Sequence, residues 1–100
     1  MIRSISIILP LFNEAQRLNK TFHEILKFSR RKIIKTIEFV FVDDGSIDGS
    51  SVMIENFIKE NRKFKNIKFR LVKLKKNSGK GAAIKNGVAK SKNKWILTSD

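Results

Sequence analysis

Two short, almost wholly apolar runs set the terms of this fold. Residues 4–9 (SISIIL) and 38–42 (EFVFV) are too short for ordinary helices and lack the polar alternation of a half-wet strand. Such runs suit strands buried on both faces, and those strands need helices to cover them. Helical patterns lie between them. Leu18, Phe22, Ile25 and Leu26 fall at i, i+4, i+7 and i+8, which predicts a helix over 14–30. Met53, Ile54, Phe57 and Ile58 mark a second helix, with Asp48 or Ser50 as its cap. Residues 67–74 mix apolar and basic side chains, as a strand nearer an edge does. Residues 79–89 read as a third helix and 95–97 as a fourth strand. Strict β-α alternation specifies an α/β domain with a mostly parallel sheet and right-handed crossovers. No internal repeat, low-complexity segment or linker interrupts it.

Composition narrows the chemistry. One hundred residues suffice for a single small domain. The chain has no cysteine and one histidine, His23, so thiolate zinc sites, disulfides and histidine clusters are excluded. The longest apolar run, from Ile5 to Phe12, is broken by Ser6 and Pro10 and falls short of a membrane span. No cleavage site follows it, which argues against a signal peptide. The last residue, Asp100, comes directly after a strand-like run, and the expectation is a cut rather than a natural end. Lysine and arginine total 22 against 9 acids, a net charge of +13 that seeks anions.

In open parallel sheets, ligands bind beyond the carboxyl ends of the strands. Each strand here is followed there by an unusual polar cluster. These are Pro10-Leu11-Phe12-Asn13-Glu14, then Asp43 to Ser50, then Asn77-Ser78-Gly79-Lys80-Gly81, then Thr98-Ser99-Asp100. All four aspartates of the chain (43, 44, 48 and 100) fall on that edge. Asp48 reads as a helix cap. The Asp43-Asp44 pair exceeds what one turn needs; it suits hydrogen bonds from a base or ribose, or a hard divalent cation. Gly79-Lys80-Gly81 opens a helix, where free N–H groups and a lysine favour an anion; a plain turn with a solvated lysine is the alternative. The P-loop spacing fails, and no dinucleotide fingerprint follows strand 1. Phe12 suits either stacking on a base or the core. His23 reads as a surface or boundary residue and Trp95 as core.

Taken in order, these clusters resemble the motifs of family 2 glycosyltransferases, whose fold is GT-A. The family pattern is P-x-[YF]-N-E, then V-D-D-G-S-x-D-G-[ST], then N-x-G-K-G-x-A-x-x-x-G, then D-x-D. The corresponding residues are 10–14, 42–50, 77–87 and Asp100. Arg17-Leu18-Asn19-Lys20-Thr21 and the Gly-Lys-Gly-x-Ala form of the third motif look most like the dolichyl-phosphate (polyprenyl-phosphate) β-glucosyltransferases, with the dolichyl-phosphate mannose synthases close by. The resemblance implies a Rossmann-like nucleotide-binding half with helices on both faces of a parallel sheet ordered 3-2-1-4. It implies inverting, metal-assisted transfer of a hexose, glucose from UDP-glucose, onto a polyprenyl or dolichyl phosphate.

Site roles follow from the same resemblance. Pro10, Phe12, Asn13 and Glu14 belong to the nucleotide pocket, Glu14 on the ribose. Val42, Asp43, Asp44 and Gly45 belong to the base side, with Asp44 accepting from a ring N–H. Asn77, Gly79 and Lys80 border the nucleotide, Lys80 near the diphosphate. Asp100 contacts the nucleotide sugar through Mg²⁺ or Mn²⁺. Phe12 replaces the commoner tyrosine, keeping the ring and losing a hydroxyl. The second D-x-D aspartate and the general base lie beyond residue 100, so residues 1–100 are expected to be the inactive N-terminal part of one GT-A domain. A cytoplasmic location is expected, with the lysines against an anionic membrane face. A basic nucleic-acid-binding module is the other class considered. It is disfavoured because no reading motif or aromatic–basic interleaving is present. A receiver-like phosphoacceptor fails because Pro10 and Asn77 stand where its acids belong.

Overall fold

A computed structural model of the chain describes residues 4–30, 35–93 and, as backbone, 95–98. Seven elements alternate along it: β1 (Ser4–Leu11), α1 (Ala15–Ser29), β2 (Thr36–Asp43), α2 (Ser50–Glu60), β3 (Ile67–Lys73), α3 (Lys80–Lys90) and β4 (Trp95–Thr98). The strands form one parallel sheet in the order β3-β2-β1-β4. The α/β class and the expected order 3-2-1-4 both hold.

Alternate residues of β1 and β2 enter different cores, as the two-residue period of a strand requires. Ile5, Ile7, Leu9 and Leu11 of β1 join Ile37, Phe39 and Phe41 of β2 under α1 and α2. Ile8, Val40 and Val42 point the other way and pack with Ala83 of α3. Helices therefore cover both faces, which is why the runs at 4–9 and 38–42 carry so few polar residues. The first face is aromatic. Phe22 of α1 stacks on Phe57 of α2 at 4.1 Å, and Phe57 meets Phe41 and Phe69 edge-on.

The second face is thinner. A Cβ added at Gly87 would lie 2.5 Å from Ile8 Cγ2 and 2.9 Å from Val42 Cγ2, so α3 sits close on the sheet only because residue 87 has no side chain. Nearer the start of the strands, this face is polar. The buried Glu38 accepts a hydrogen bond from the Ser6 hydroxyl at 2.6 Å and from the Lys92 N–H at 3.0 Å. Its other oxygen lies 3.6 Å from Arg70 Nε. Asn93 donates its N–H to Ser6 Oγ and its side-chain amide to the Ile5 carbonyl.

β1 and β2 are longer than their apolar runs. Pro10 does not end β1, which continues to Leu11 opposite Asp43. The Leu11 carbonyl accepts from Asp44 N–H at 2.8 Å and so faces β2. Pro10, one residue earlier, turns its nitrogen away from β2, so its missing N–H leaves the β1–β2 ladder intact. β2 runs through Asp43, so the first of the paired aspartates is the last strand residue.

Candidate functional site

The strand ends open into a cleft of about 180 Å³ lined by Pro10, Leu11, Phe12, Glu14, Asp44, Asn77, Lys80 and Ala83. Three separate motifs thus converge across β1, β2 and α3. Phe12 is 44% exposed, so its ring serves the cleft mouth rather than the core. Glu14 pairs loosely with Arg17, one turn along, at 3.9 Å. A larger hollow of about 390 Å³ lies alongside α1, where apolar side chains such as Ile7, Leu9, Phe28 and Phe39 meet Glu14, Arg17, Lys20, Thr21 and Glu24. Size does not make it the site; the smaller cleft is where the segments that follow β1, β2 and β3 meet.

Asp44 organises the cleft floor. It is 3% exposed, and its carboxylate receives three donors from the β3–α3 loop. Ser78 N–H reaches Oδ1 at 2.7 Å; Gly79 N–H and Asn77 Nδ2 reach Oδ2 at 2.9 and 3.2 Å. A carboxylate has about four acceptor positions, so one remains, on Oδ1. Backbone geometry makes this clasp possible. Gly79 has φ 96° and ψ 156°, a region almost reserved for glycine. Gly45 has φ 80°, and a Cβ there would lie 2.6 Å from Asn77 N and from the Lys76 carbonyl carbon. Gly45 therefore lets the β2–α2 and β3–α3 loops touch.

A second carboxylate joins the other pair of loops. Asp48 Oδ2 accepts Ala15 N–H at 3.1 Å, and its Oδ1 accepts Ser50 N–H at 3.0 Å as well as the Ser50 hydroxyl. Glu14 N–H donates to Ser50 Oγ at 3.1 Å, and Asn13 N–H to Ser46 Oγ at 2.8 Å. Asn13 Oδ1 in turn accepts Ile47 N–H at 2.9 Å. The cap position of α2 is Gly49 rather than Asp48 or Ser50; Asp48, one residue earlier, instead accepts the first N–H of α2 and the first N–H of α1. The Ser50 hydrogen bond, chiefly, holds the Asp48 carboxyl below its ordinary pKa.

The structure places the remaining candidates as follows. Val42 is wholly buried, its side chain packed with Ile8, Val40 and Ala83. Asp43 is buried and its Oδ1 accepts Ser46 N–H at 2.9 Å, shaping the turn. Asn13 takes a positive φ of 49° beside the cleft. His23 is exposed on α1. Asp100 and the Trp95 side chain lie outside the described residues.

No group of three or more histidine, cysteine or acidic side chains gathers among the described residues. Asp43, Asp44 and Asp48 direct their oxygens at N–H groups instead. Sequence reading missed the span of these interactions. Ser46 was visible only as a motif letter and Ser50 only as a candidate cap, and the Glu38 cluster had no signal beyond a lone acid at the head of an apolar run.

The profile of glycosyl transferase family 2 matches residues 6–100. The dolichyl-phosphate beta-glucosyltransferase of Dictyostelium discoideum is 37% identical over 100 residues, covering 96% of this chain and 30% of that protein. The human protein of the same name is 34% identical over 102 residues, covering 98% and 31%. The chain thus spans about three tenths of the length of these curated relatives. Among solved structures, the mannosyltransferase PcManGT from Pyrobaculum calidifontis, in complex with GDP-Man and Mn²⁺, superposes with a TM-score of 0.79. It shares 19% identity and is matched over 92% of this chain and 25% of its own. At that identity the likeness speaks for the fold.

Proposed function

The chain belongs to glycosyl transferase family 2, and from that premise we propose that it is the nucleotide-sugar-binding part of an inverting GT-A enzyme. The donor proposed is UDP-glucose and the acceptor a dolichyl or other polyprenyl phosphate, the substrate class in the names of the relatives above. Residues 1–100 form the donor half of a longer domain in this reading. The acceptor site and general base then belong to sequence beyond them.

One observation carries the reading: the acceptor position left on Asp44 Oδ1, in a cleft whose mouth holds the exposed Phe12 ring. A single ring N–H of a base suits the first, and the face of the base suits the second. Glu14 lies at the same cleft, where a ribose hydroxyl offers a donor. Lys80 stands at the first turn of α3, where a cation and helix N–H groups favour a diphosphate. In transfer, the acceptor phosphate oxygen attacks the anomeric carbon as the nucleoside diphosphate leaves. Groups that hold the diphosphate also stabilise the charge it gains. In this reading Asp100 would hold Mg²⁺ or Mn²⁺, which would offset charge on the diphosphate. No helix among the described residues is long and apolar enough to cross a membrane. The proposal places the protein against the anionic cytoplasmic face of a membrane through its lysine excess.

Addition of UDP with Mn²⁺ is expected to raise the melting temperature of the protein, and Asp44→Ala is expected to abolish the rise. Absence of any rise in the unaltered protein would sink the nucleotide reading.

A further inference from the structure

Three consecutive backbone N–H groups, those of Asn13, Glu14 and Ala15, all donate to side chains of one remote segment, the β2–α2 loop and the first residue of α2. Their acceptors are Ser46 Oγ, Ser50 Oγ and Asp48 Oδ2. The return bond runs from Ile47 N–H to Asn13 Oδ1. Glu14 sits in the middle of this set and occupies the N-cap position of α1, yet makes no side-chain cap bond of its own. None of Ser46, Asp48 and Ser50 lines the cleft that Glu14 and Asp44 share.

From this geometry we propose that Asp48, together with Ser50, is a positioning residue for Glu14. It rests on the nucleotide reading above. The bland alternative is a cap that only lengthens the life of α1. The bonds extend past a cap in two ways. They bracket Glu14 on both sides, and they tie the segment bearing Glu14 to the loop that follows Asp44. A single helix start needs neither. The consequence is a fixed separation between the cleft's two acids: Asp44 is set by β2 and the β3–α3 loop, Glu14 by the 46–50 segment. Asp48 acts on the nucleotide only through that separation. The positive φ of Asn13, 49°, is a conformation that asparagine adopts more readily than other residues with a Cβ, and the same bonds hold it in place.

A double-mutant cycle tests this. UDP binding is measured by calorimetry, at one salt concentration, for the unaltered full-length protein, Asp48→Ala, Glu14→Ala and the double variant. If Asp48 acts through Glu14, Asp48→Ala weakens UDP binding roughly fivefold in the unaltered background and less than about twofold once Glu14 is alanine. Ser50→Ala should show the same coupling, and Asp48→Asn, which keeps an acceptor oxygen, should restore part of the affinity. Ser50→Ala and Asp48→Asn also decide the matter if Asp48→Ala fails to fold. A merely structural cap lowers the melting temperature in both backgrounds and leaves the losses in affinity additive; that result overturns the assignment. So does full UDP affinity in folded Asp48→Ala. Failure of the unaltered protein to bind UDP overturns the nucleotide reading itself, a result distinct from either of these.

Discussion

The two faces of the sheet are built on different plans. Beneath α1 and α2, large side chains interlock: Phe22, Phe39, Phe41, Phe57 and Phe69 form one continuous aromatic cluster. Beneath α3, contact is made by Ile8, Val40, Val42 and Ala83, with Gly87 pressed against Ile8 and Val42. Depth of burial explains the first plan and closeness of approach the second. α3 must lie low on the sheet, because the loop that opens it delivers Ser78 and Gly79 N–H groups to Asp44. Bulk at position 83 or 87 would lift the helix and draw that loop away. The aromatic face therefore carries stability, while the thin face trades packing mass for the geometry of the cleft.

The largest effect should come from the aromatic side. Phe57 is 6% exposed and touches three other rings, so Phe57→Ala should cost about 3–5 kcal/mol. In the longer domain proposed above that lowers the melting temperature by roughly 6 °C or more. Protein that remains folded should bind UDP as before. Loss of UDP affinity at a temperature where the variant is folded would break the division between the two faces.

A smaller effect is expected on the thin face, with the opposite signature. Gly87→Ala forces a methyl group to within 2.5 Å of Ile8 Cγ2. Overpacking of that kind costs about 1–3 kcal/mol. Its mark should be a loss of UDP affinity out of proportion to the stability change, since the shift is passed to the 77–79 loop. Unchanged affinity alongside the stability loss would show that α3 can move without disturbing Asp44.

How much of this was legible in the sequence depends on the distance between partners. The strands at 4–9 and 38–42 declare themselves locally, because burial on both faces leaves almost no polar residues within the run. The order β3-β2-β1-β4 came with the family motifs, since periodicity alone does not say which strand lies beside which. Phe12 could be read either way: an aromatic residue just past a strand end faces core or cleft according to a backbone turn that its own type does not specify. Asp48 reads as a cap of the helix that follows it, but Gly49 takes that position. The second partner of Asp48, Ala15, lies 33 residues away and belongs to a different motif. The Glu38 cluster is harder still, for its partners Ser6 and Lys92 stand 32 and 54 residues off on either side. Local patterns report the face a residue takes; they do not report which distant N–H group waits there.

Acid should separate the polar rim from both cores, with the smallest of these effects. The Asp48 carboxyl is held below its ordinary value of 3.8, first by the Ser50 hydrogen bond and then by the N–H groups of Ala15 and Ser50. A folded pKa below the unfolded one means that the unfolded chain binds the proton first as pH falls. The stabilisation Asp48 supplies is therefore complete above its ordinary value and fades as pH drops through the lower, folded one. Comparing the unaltered protein with Asp48→Asn across this range, the stability gap should be constant at neutral pH and narrow below 3.8. The Phe57→Ala gap should show no such narrowing, because the aromatic cluster contains no proton to gain. A gap for Asp48→Asn that stays constant into acid would mean that the carboxylate charge contributes nothing to the clasp beyond what an amide oxygen supplies.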